Sequence, residues 1–389
     1  MDKKKLKALQ GEFVEDTIRI KKDKQGDLRY FRPEDNREYT YQNPYILELE
    51  ITRRCNLKCI HCYAESENID FAKELSFNEI RQLLQQAKQL GIEELSLTGG
   101  EVLVHPQFIE IVDLAFQMGF NLRFVSNGVL FSDKLIEQLC QKPIKLITIS
   151  LDAINPQIHE KIRGKGTHKK TLDNILKLSQ IGFNVSIITA FSTVNFNEFS
   201  AIYQFCLKND LDWQVQMTSA KGRAKKHLIL SPDQYYQLGK QTIAIIMEQP
   251  GINIIPMDDL ATFSNFFPLN QLSSTWQGKC TGGLLNIFVR ANGDVTPCSA
   301  LAFPENVVGN FRNQSLVDIC NQELCRKNLN WLSHHTRTGT CKDCKWWTKC
   351  QGGCPDILIA NCPHLGENIY CYHHIEQNRI LESFCDDEI

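Results

Sequence analysis

The sequence predicts an α/β protein: a partial (β/α)6 barrel of the TIM type followed by a cysteine-rich C-terminal domain. Three observations carry this. From Ile46 to about Met247, short apolar runs alternate with longer amphipathic ones, and repeated strand–helix units imply a parallel sheet. The six units are too few to close an eight-stranded barrel. Beyond Gln249 the alternation gives way to a dense field of cysteines. A chain of 389 residues is long enough for such a division. The expected parts are an N-terminal hairpin or extension over 1–45, the barrel over 46–249 and the cysteine-rich domain over 250–389.

In chain order, Asp16–Lys21 and Asp27–Phe31 alternate polar and apolar residues around Gly26, which predicts a small hairpin. Strands are expected at Ile46–Ile51, Glu94–Leu97, Asn121–Val125, Leu146–Ser150, Val185–Phe191 and Trp213–Met217. Helices are expected at Ser76–Leu90, Pro106–Met118, Ser132–Cys140, Lys169–Ile181, Glu198–Lys208 and Pro232–Met247. Ser76 with Glu79 forms a capping-box pattern, and Pro106 suits a first helical turn. Sites in such folds lie at the C-terminal ends of the strands, where residues 55–62, 99–101, 126 and 150 fall.

Net charge is −2 with no strongly basic region, which argues against a nucleic-acid partner. No run approaches the 18 or so apolar residues of a membrane span. The start Met-Asp-Lys-Lys-Lys-Leu-Lys is basic without an apolar stretch after it, so no secretory signal is expected. Sixteen cysteines then point to metal or redox chemistry in a reducing cytoplasm.

Residues 55–62 read Cys-Asn-Leu-Lys-Cys-Ile-His-Cys. Three thiolates on one short loop, Cys55, Cys59 and Cys62, suit a cubane iron–sulfur cluster, which normally takes four protein ligands. With three, one iron keeps a position open to a small molecule. Structural zinc is the alternative, but it needs a fourth ligand from elsewhere, since His61 adjoins Cys62 and is poorly placed to close a tetrahedron.

The motif resembles that of the radical S-adenosylmethionine (SAM) enzymes, C-x3-C-x-Φ-C with His61 in the Φ place. Thr98-Gly99-Gly100-Glu101 resembles the family's GGE turn, and Ser126-Asn127-Gly128 and Ser150-Leu151-Asp152 fall in order at later strand ends. The resemblance implies a [4Fe–4S] cluster on the three cysteines and bound SAM. Gly99, Gly100 and Glu101 would meet the amino group of SAM, with His61 by the adenine, Asn127 on the ribose, and Ser126 and Ser150 at the strand ends that contact ribose and carboxylate. Arg163, in Ile-Arg-Gly, would lie near the SAM carboxylate. Reduction of the cluster would break the C5′–S bond and give a 5′-deoxyadenosyl radical.

Further on, Cys280, Gly293, Cys298, then Cys341-x2-Cys344-x5-Cys350-x3-Cys354 and Cys371 resemble the seven-cysteine signature of the SPASM domain, which carries auxiliary [4Fe–4S] clusters. By that analogy Cys341, Cys344, Cys350 and Cys371 hold one cluster. Cys280, Cys298 and Cys354 hold another that lacks one thiolate, supplied by Cys362 or left open to substrate. The residues alone also allow a zinc ribbon on Cys341, Cys344, Cys350 and Cys354. Cys140 and Cys206 read as small core residues, and Cys320, Cys325 and Cys385 have no partner spacing. The basic stretches Arg163–Lys170 and Lys221–Lys226 read as solvated faces, with Arg163 the exception.

Ala220-Lys221-Gly222-Arg223-Ala224 and the Gly282–Cys298 segment resemble enzymes that mature ribosomally made peptides by thioether or carbon–carbon crosslinks. A precursor peptide is then the expected substrate, a flavodoxin or ferredoxin the electron donor, and a monomer the expected state. Sulfatase-type maturation to formylglycine, and heme or quinone cofactor maturation, are the alternatives. A non-catalytic electron-transfer or zinc scaffold would leave the Gly99–Glu101 turn idle. Residues 1–45 are read as a hairpin packed on the barrel or as a short leader-binding segment.

Overall fold

The computed structural model describes residues 19–22, 28–32, 35–66, 73–248, 251–257, 260, 263, 264, 266, 280–321, 337–364 and 366–386. Near the N-terminus β1 (Arg19–Lys22) pairs antiparallel with β2 (Leu28–Phe31), and β2 with β3 (Glu38–Tyr39). The expected hairpin is thus two strands of a three-stranded sheet; its residues 16–18 and 27 lie outside the described residues. Tyr30, Tyr39 and Tyr45 form a buried cluster against Ile46, Leu284 and Leu285. That contact seats the small sheet at the start of the first barrel strand, opposite the end that leads to Cys55.

The barrel follows as β4 (Ile46–Thr52), α1 (Phe77–Gln89), β5 (Glu94–Gly99), α2 (Phe108–Gln117), β6 (Asn121–Ser126), α3 (Asp133–Leu139), β7 (Ile144–Ser150), α4 (Pro156–Arg163), α5 (His168–Ile181), β8 (Val185–Phe191), α6 (Phe199–Asn209), β9 (Asp212–Met217) and α7 (Pro232–Glu248). The six strands pair in parallel in chain order. Each expected strand and helix forms, with ends within two residues of expectation. The Ser76–Glu79 capping box closes reciprocally, with the Glu79 N–H on Ser76 Oγ at 3.3 Å and the Ser76 N–H on Glu79 Oε2 at 2.8 Å.

Helix α4 was not expected. It is short and mostly polar, but Asn155 caps it, accepting the Gln157 N–H at 2.9 Å, and Pro156 opens it. Its buried side chains are His159, Ile162 and Arg163.

Parallel strands covered on both faces run continuously apolar. Here β7 and β8 hold runs of buried residues, while β6, β9 and most of β4 and β5 alternate. Leu47, Leu49, Leu95, Leu97, Leu122, Phe124, Trp213 and Val215 are buried under the helices. Between them Glu48, Ser96, Thr98, Arg123, Gln214 and Gln216 are half-buried on the other face. The helix side is the core; the inner face is polar, as an open barrel with a wet lumen requires.

The expected boundary at residue 249 does not interrupt the sheet. β10 (Ile254–Pro256) adds in parallel beside β9, and β11 (Asn286–Val289) adds in parallel beside β4. β12 (Asp294–Thr296) and β13 (Gly309–Asn310) continue antiparallel, giving ten strands in the order β10-β9-β8-β7-β6-β5-β4-β11-β12-β13. An open barrel exposes unpaired N–H and C=O groups at both edge strands, and the C-terminal segment covers both. Among the described residues the remaining α-helices are α8 (Leu316–Asn321), α9 (Trp347–Cys350), α10 (Pro355–Asn361) and α11 (Tyr372–Asp386). α11 packs on α7, where Tyr372 donates to the Tyr235 carbonyl at 2.6 Å; a Cβ at Gly239 would strike its hydroxyl.

Cys140, Cys206 and Cys320 are buried in the core. Cys325 and the side chain of Cys385 lie outside the described residues. Among the described residues no helix is long and apolar enough to cross a membrane.

Candidate functional site

The loop carrying Cys55, Cys59 and Cys62 leaves the C-terminal end of β4 and is tied down from three directions. The Ile60 N–H donates to the Ile162 carbonyl of α4 at 2.9 Å. Arg223, after β9, donates from Nε to the Cys59 carbonyl at 2.9 Å and from a terminal nitrogen to the Ser66 carbonyl at 2.8 Å. Its own N–H donates to the Cys62 carbonyl at 3.0 Å. This approach requires glycine at 222: φ is +58°, and a Cβ would lie 2.4 Å from the Cys62 carbonyl oxygen. The expectation that 221–226 forms a solvated basic face therefore fails at Lys221 and Arg223. A carbonyl-rich loop that must hold three thiols in place needs donors, and Arg223 supplies three of them.

The Gly99–Glu101 turn lies on the same loop. The Gly100 N–H donates to the Thr52 carbonyl at 2.8 Å and the Glu101 N–H to that of Arg54 at 2.9 Å. A Cβ on Gly99 would meet the Thr52 oxygen, and one on Gly100 the Arg54 oxygen, each at 2.3 Å. Glu101 is 1% exposed. It accepts from Ser126 Oγ at 2.8 Å, the Asn127 N–H at 2.7 Å and the Leu103 N–H at 3.2 Å. Burial nonetheless raises its carboxyl to about 7. Asn127 binds Asn56 at 2.8 Å and lies 4.0 Å from Cys55 Sγ, so its amide braces the cysteine loop. Ser126 and Asn127 are thus engaged with protein, while the hydroxyl of Ser150, half-buried at the end of β7, has no hydrogen-bond partner among the described residues.

The residue that sequence reasoning passed over is Asp152. Fully buried, it accepts from His61 Nε2 at 2.7 Å and Arg163 Nε at 2.6 Å on one oxygen, and from the Ala190 N–H at 3.2 Å on the other. Burial opposes its ionisation, but the Arg163 and His61 charges outweigh that and hold it well below the carboxylate range. His61 is therefore fixed by Asp152. Arg163 has its Nε committed, and among the described residues its terminal nitrogens have no partner. The available signal was an acid ending the apolar run Ile144–Ala153 at a strand end.

The three thiols fit an iron–sulfur cluster by donor chemistry: they share one loop and are not in disulfides. Burial pushes Cys55 up to about 11 and raises Cys59, the latter opposed by Arg163, so thiolates here call for cationic metal. In the C-terminal segment Cys341, Cys344, Cys350 and Cys371 line one cavity together with Trp346 and Trp347. Cys354 is not among them; it caps the start of α10 and packs on the core. Cys280 and Cys298 flank Gly282, where a Cβ would lie 3.4 Å from the Sγ of one and the Cβ of the other. Cys362 lies 3.7 Å from Asn368, a wall residue of the first cavity.

Lys221 joins these regions. Its ammonium pairs with Asp356 of α10, donates to the Ala300 carbonyl at 2.6 Å, and lies over the Tyr63 and Phe303 rings at 5.1 and 5.6 Å. Beside it opens a cavity of about 170 Å³. The cysteine loop (Tyr63), the glycine turn (Thr98, Gly99) and the C-terminal segment (Phe288, Arg290, Phe303) all border it.

Comparison with known proteins matches residues 49–206 to the radical SAM superfamily and residues 280–345 to the SPASM iron–sulfur cluster-binding domain. The AdoMet-dependent heme synthase of Methanosarcina barkeri is 24% identical over 343 residues, 85% of this chain and 97% of that protein. The sporulation killing factor maturation protein SkfB of Bacillus subtilis is 27% identical over 280 residues, 71% of this chain and 64% of that protein. Among solved structures, Streptococcus suis SuiB bound to S-adenosylmethionine aligns with a TM-score of 0.66 at 18% identity, covering 84% of this chain and 76% of that one. SuiB has also been solved bound to the precursor peptide SuiA.

Proposed function

This chain carries a radical SAM domain followed by a SPASM domain, and from that premise we infer that it oxidatively modifies a ribosomally made precursor peptide. It binds [4Fe–4S] clusters and S-adenosylmethionine. We assign three clusters: one on Cys55, Cys59 and Cys62, one on Cys341, Cys344, Cys350 and Cys371, and one on Cys280, Cys298 and Cys354. The bound cluster and SAM supply a 5′-deoxyadenosyl radical able to remove hydrogen from an unactivated carbon.

The protein's own residues orient and enclose. Arg223, Ile162 and the glycine turn fix the cysteine loop. Glu101 offers its remaining lone pair to the SAM ammonium, and Arg163, steadied by Asp152, offers its terminal nitrogens to the carboxylate. Ser150 is open to a ligand hydroxyl. In this reading the protein works in the cytoplasm as a monomer and takes its electron from a flavodoxin or ferredoxin.

The observation that carries the peptide reading is the 170 Å³ cavity. It borders both the cysteine loop and the C-terminal segment, and it suits one amino-acid side chain. Cofactor maturation is the second reading, favoured by the near-complete span of the heme synthase.

Cys344→Ala tests the reading. Its C-terminal cluster should be lost, SAM cleavage should persist, and mass spectrometry should find little modified precursor peptide. Full product from a variant shown to lack that cluster would refute an obligatory role for it. Turnover of a small molecule with no peptide present would favour the cofactor reading.

A pH dependence follows from Glu101. Its carboxyl ionises only as pH rises through about 7, and the SAM ammonium needs the ionised form. SAM affinity should be flat above that pH and fall about tenfold per unit below it. Glu101→Gln should remove the slope, as equilibrium binding between pH 6 and 8.5 would reveal. A sloped profile in the variant would assign the titration elsewhere.

A further inference from the structure

Arg290 follows β11 and lines the cavity. Its side chain is only 18% exposed, yet among the described residues its guanidinium makes no hydrogen bond. The nearest anion, Glu50 Oε2, is 3.8 Å from Nε, beyond hydrogen-bond reach. A guanidinium carries five N–H donors, and those of Arg290 are not among the fully buried unpaired atoms, so they open to the cavity and can meet an anion there.

Glu50 does not meet that need. Its other oxygen faces Arg53 Nε at 3.7 Å, so one carboxylate stands between two guanidiniums. It also accepts the Ala291 N–H at 3.2 Å. Burial raises the Glu50 carboxyl, which weakens its counter-charge further. The cavity's other cations are Lys221, committed to Asp356 and the Ala300 carbonyl, and Arg53, which donates to the Ala64 carbonyl at 3.0 Å. Phe288, Phe303 and Tyr63 supply apolar walls beside Arg290.

We propose that Arg290 is a carboxylate-recognising residue of this cavity, so that the substrate presents a carboxylate there, an acidic side chain or a peptide C-terminus, on an apolar stem. The proposal rests on the cavity being the substrate site. A guanidinium pairs bidentately with a carboxylate and loses that geometry with an amide. A tetrapyrrole propionate offers the same group, and the test separates the two sources.

The anaerobic, SAM-loaded holoenzyme is treated with phenylglyoxal, and the adduct at Arg290 is quantified by mass spectrometry. The probes, at millimolar concentration, are hexapeptides matched as acid and amide (Glu against Gln, free against amidated C-terminus) and a porphyrin tetrapropionate. The acid peptides should protect Arg290 about fivefold or more, equivalent to about 1 kcal/mol, while the amides leave its labelling unchanged. Equal protection by acid and amide, or none by any carboxylate, overturns the proposal. An Arg290 that resists the reagent in free enzyme does so too, because its guanidinium is then closed to the cavity. Protection by the porphyrin alone keeps the carboxylate site and overturns the peptide reading.

Discussion

Cys59→Ala is expected to abolish 5′-deoxyadenosine formation and to remove about a third of the iron, one cluster of three. Cys59 is the most enclosed of the three loop thiols, and its own carbonyl anchors Arg223 at 2.9 Å. Two remaining thiolates cannot retain a cubane cluster stably. The C-terminal cysteines, Cys280 before β11 and the others after it, lie on separate elements, and their iron should survive. Iron and sulfide assay with chromatographic detection of 5′-deoxyadenosine after dithionite reduction measures both effects. Cleavage at the parent rate would mean that SAM binds elsewhere.

Asp152→Ala is expected to be the most damaging change outside the cysteines. It strands the Arg163 guanidinium, buried with its Nε committed to Asp152, and removes the acceptor of His61 Nε2. Breaking one partner out of a buried ion pair costs about 3–5 kcal/mol, because the other charge is left uncompensated. His61 belongs to the cysteine loop, so the damage should reach the cluster: lower iron on the Cys55–Cys62 loop with the C-terminal iron retained. Asp152→Asn should retain the shape but lose the charge and fall between. Urea unfolding midpoints together with iron content check this. A variant as stable and as iron-rich as the parent would show that Arg163 has another counter-ion.

The barrel was legible because its signals are local. Alternating burial and a capping box at Ser76 mark elements without reference to the rest of the chain, whereas Pro106 falls in the turn before α2 and not in its first turn. The cysteine loop and the glycine turn were legible for the same reason, as fixed spacings. What escaped depends on partners distant in sequence. Asn286–Val289 is four residues long and becomes a strand because β4 offers an open edge 240 residues earlier. Arg223 and Lys221 look like any basic loop until the carbonyls of Cys59 and Ala300 and the Asp356 carboxylate are placed against them. Gly222 was the readable hint, since only a left-handed backbone so close to the cysteine loop needs it. Glu101 was read as a ligand contact, and its three internal donors make it first a tie between β5 and β6.

The most direct test of the central claim is the fate of SAM on the intact protein. Anaerobically reconstituted enzyme, reduced with dithionite, is incubated with SAM, and products are separated by liquid chromatography. The account predicts equimolar methionine and 5′-deoxyadenosine from protein holding about twelve irons. SAM left intact by a colourless protein with stoichiometric zinc would contradict it.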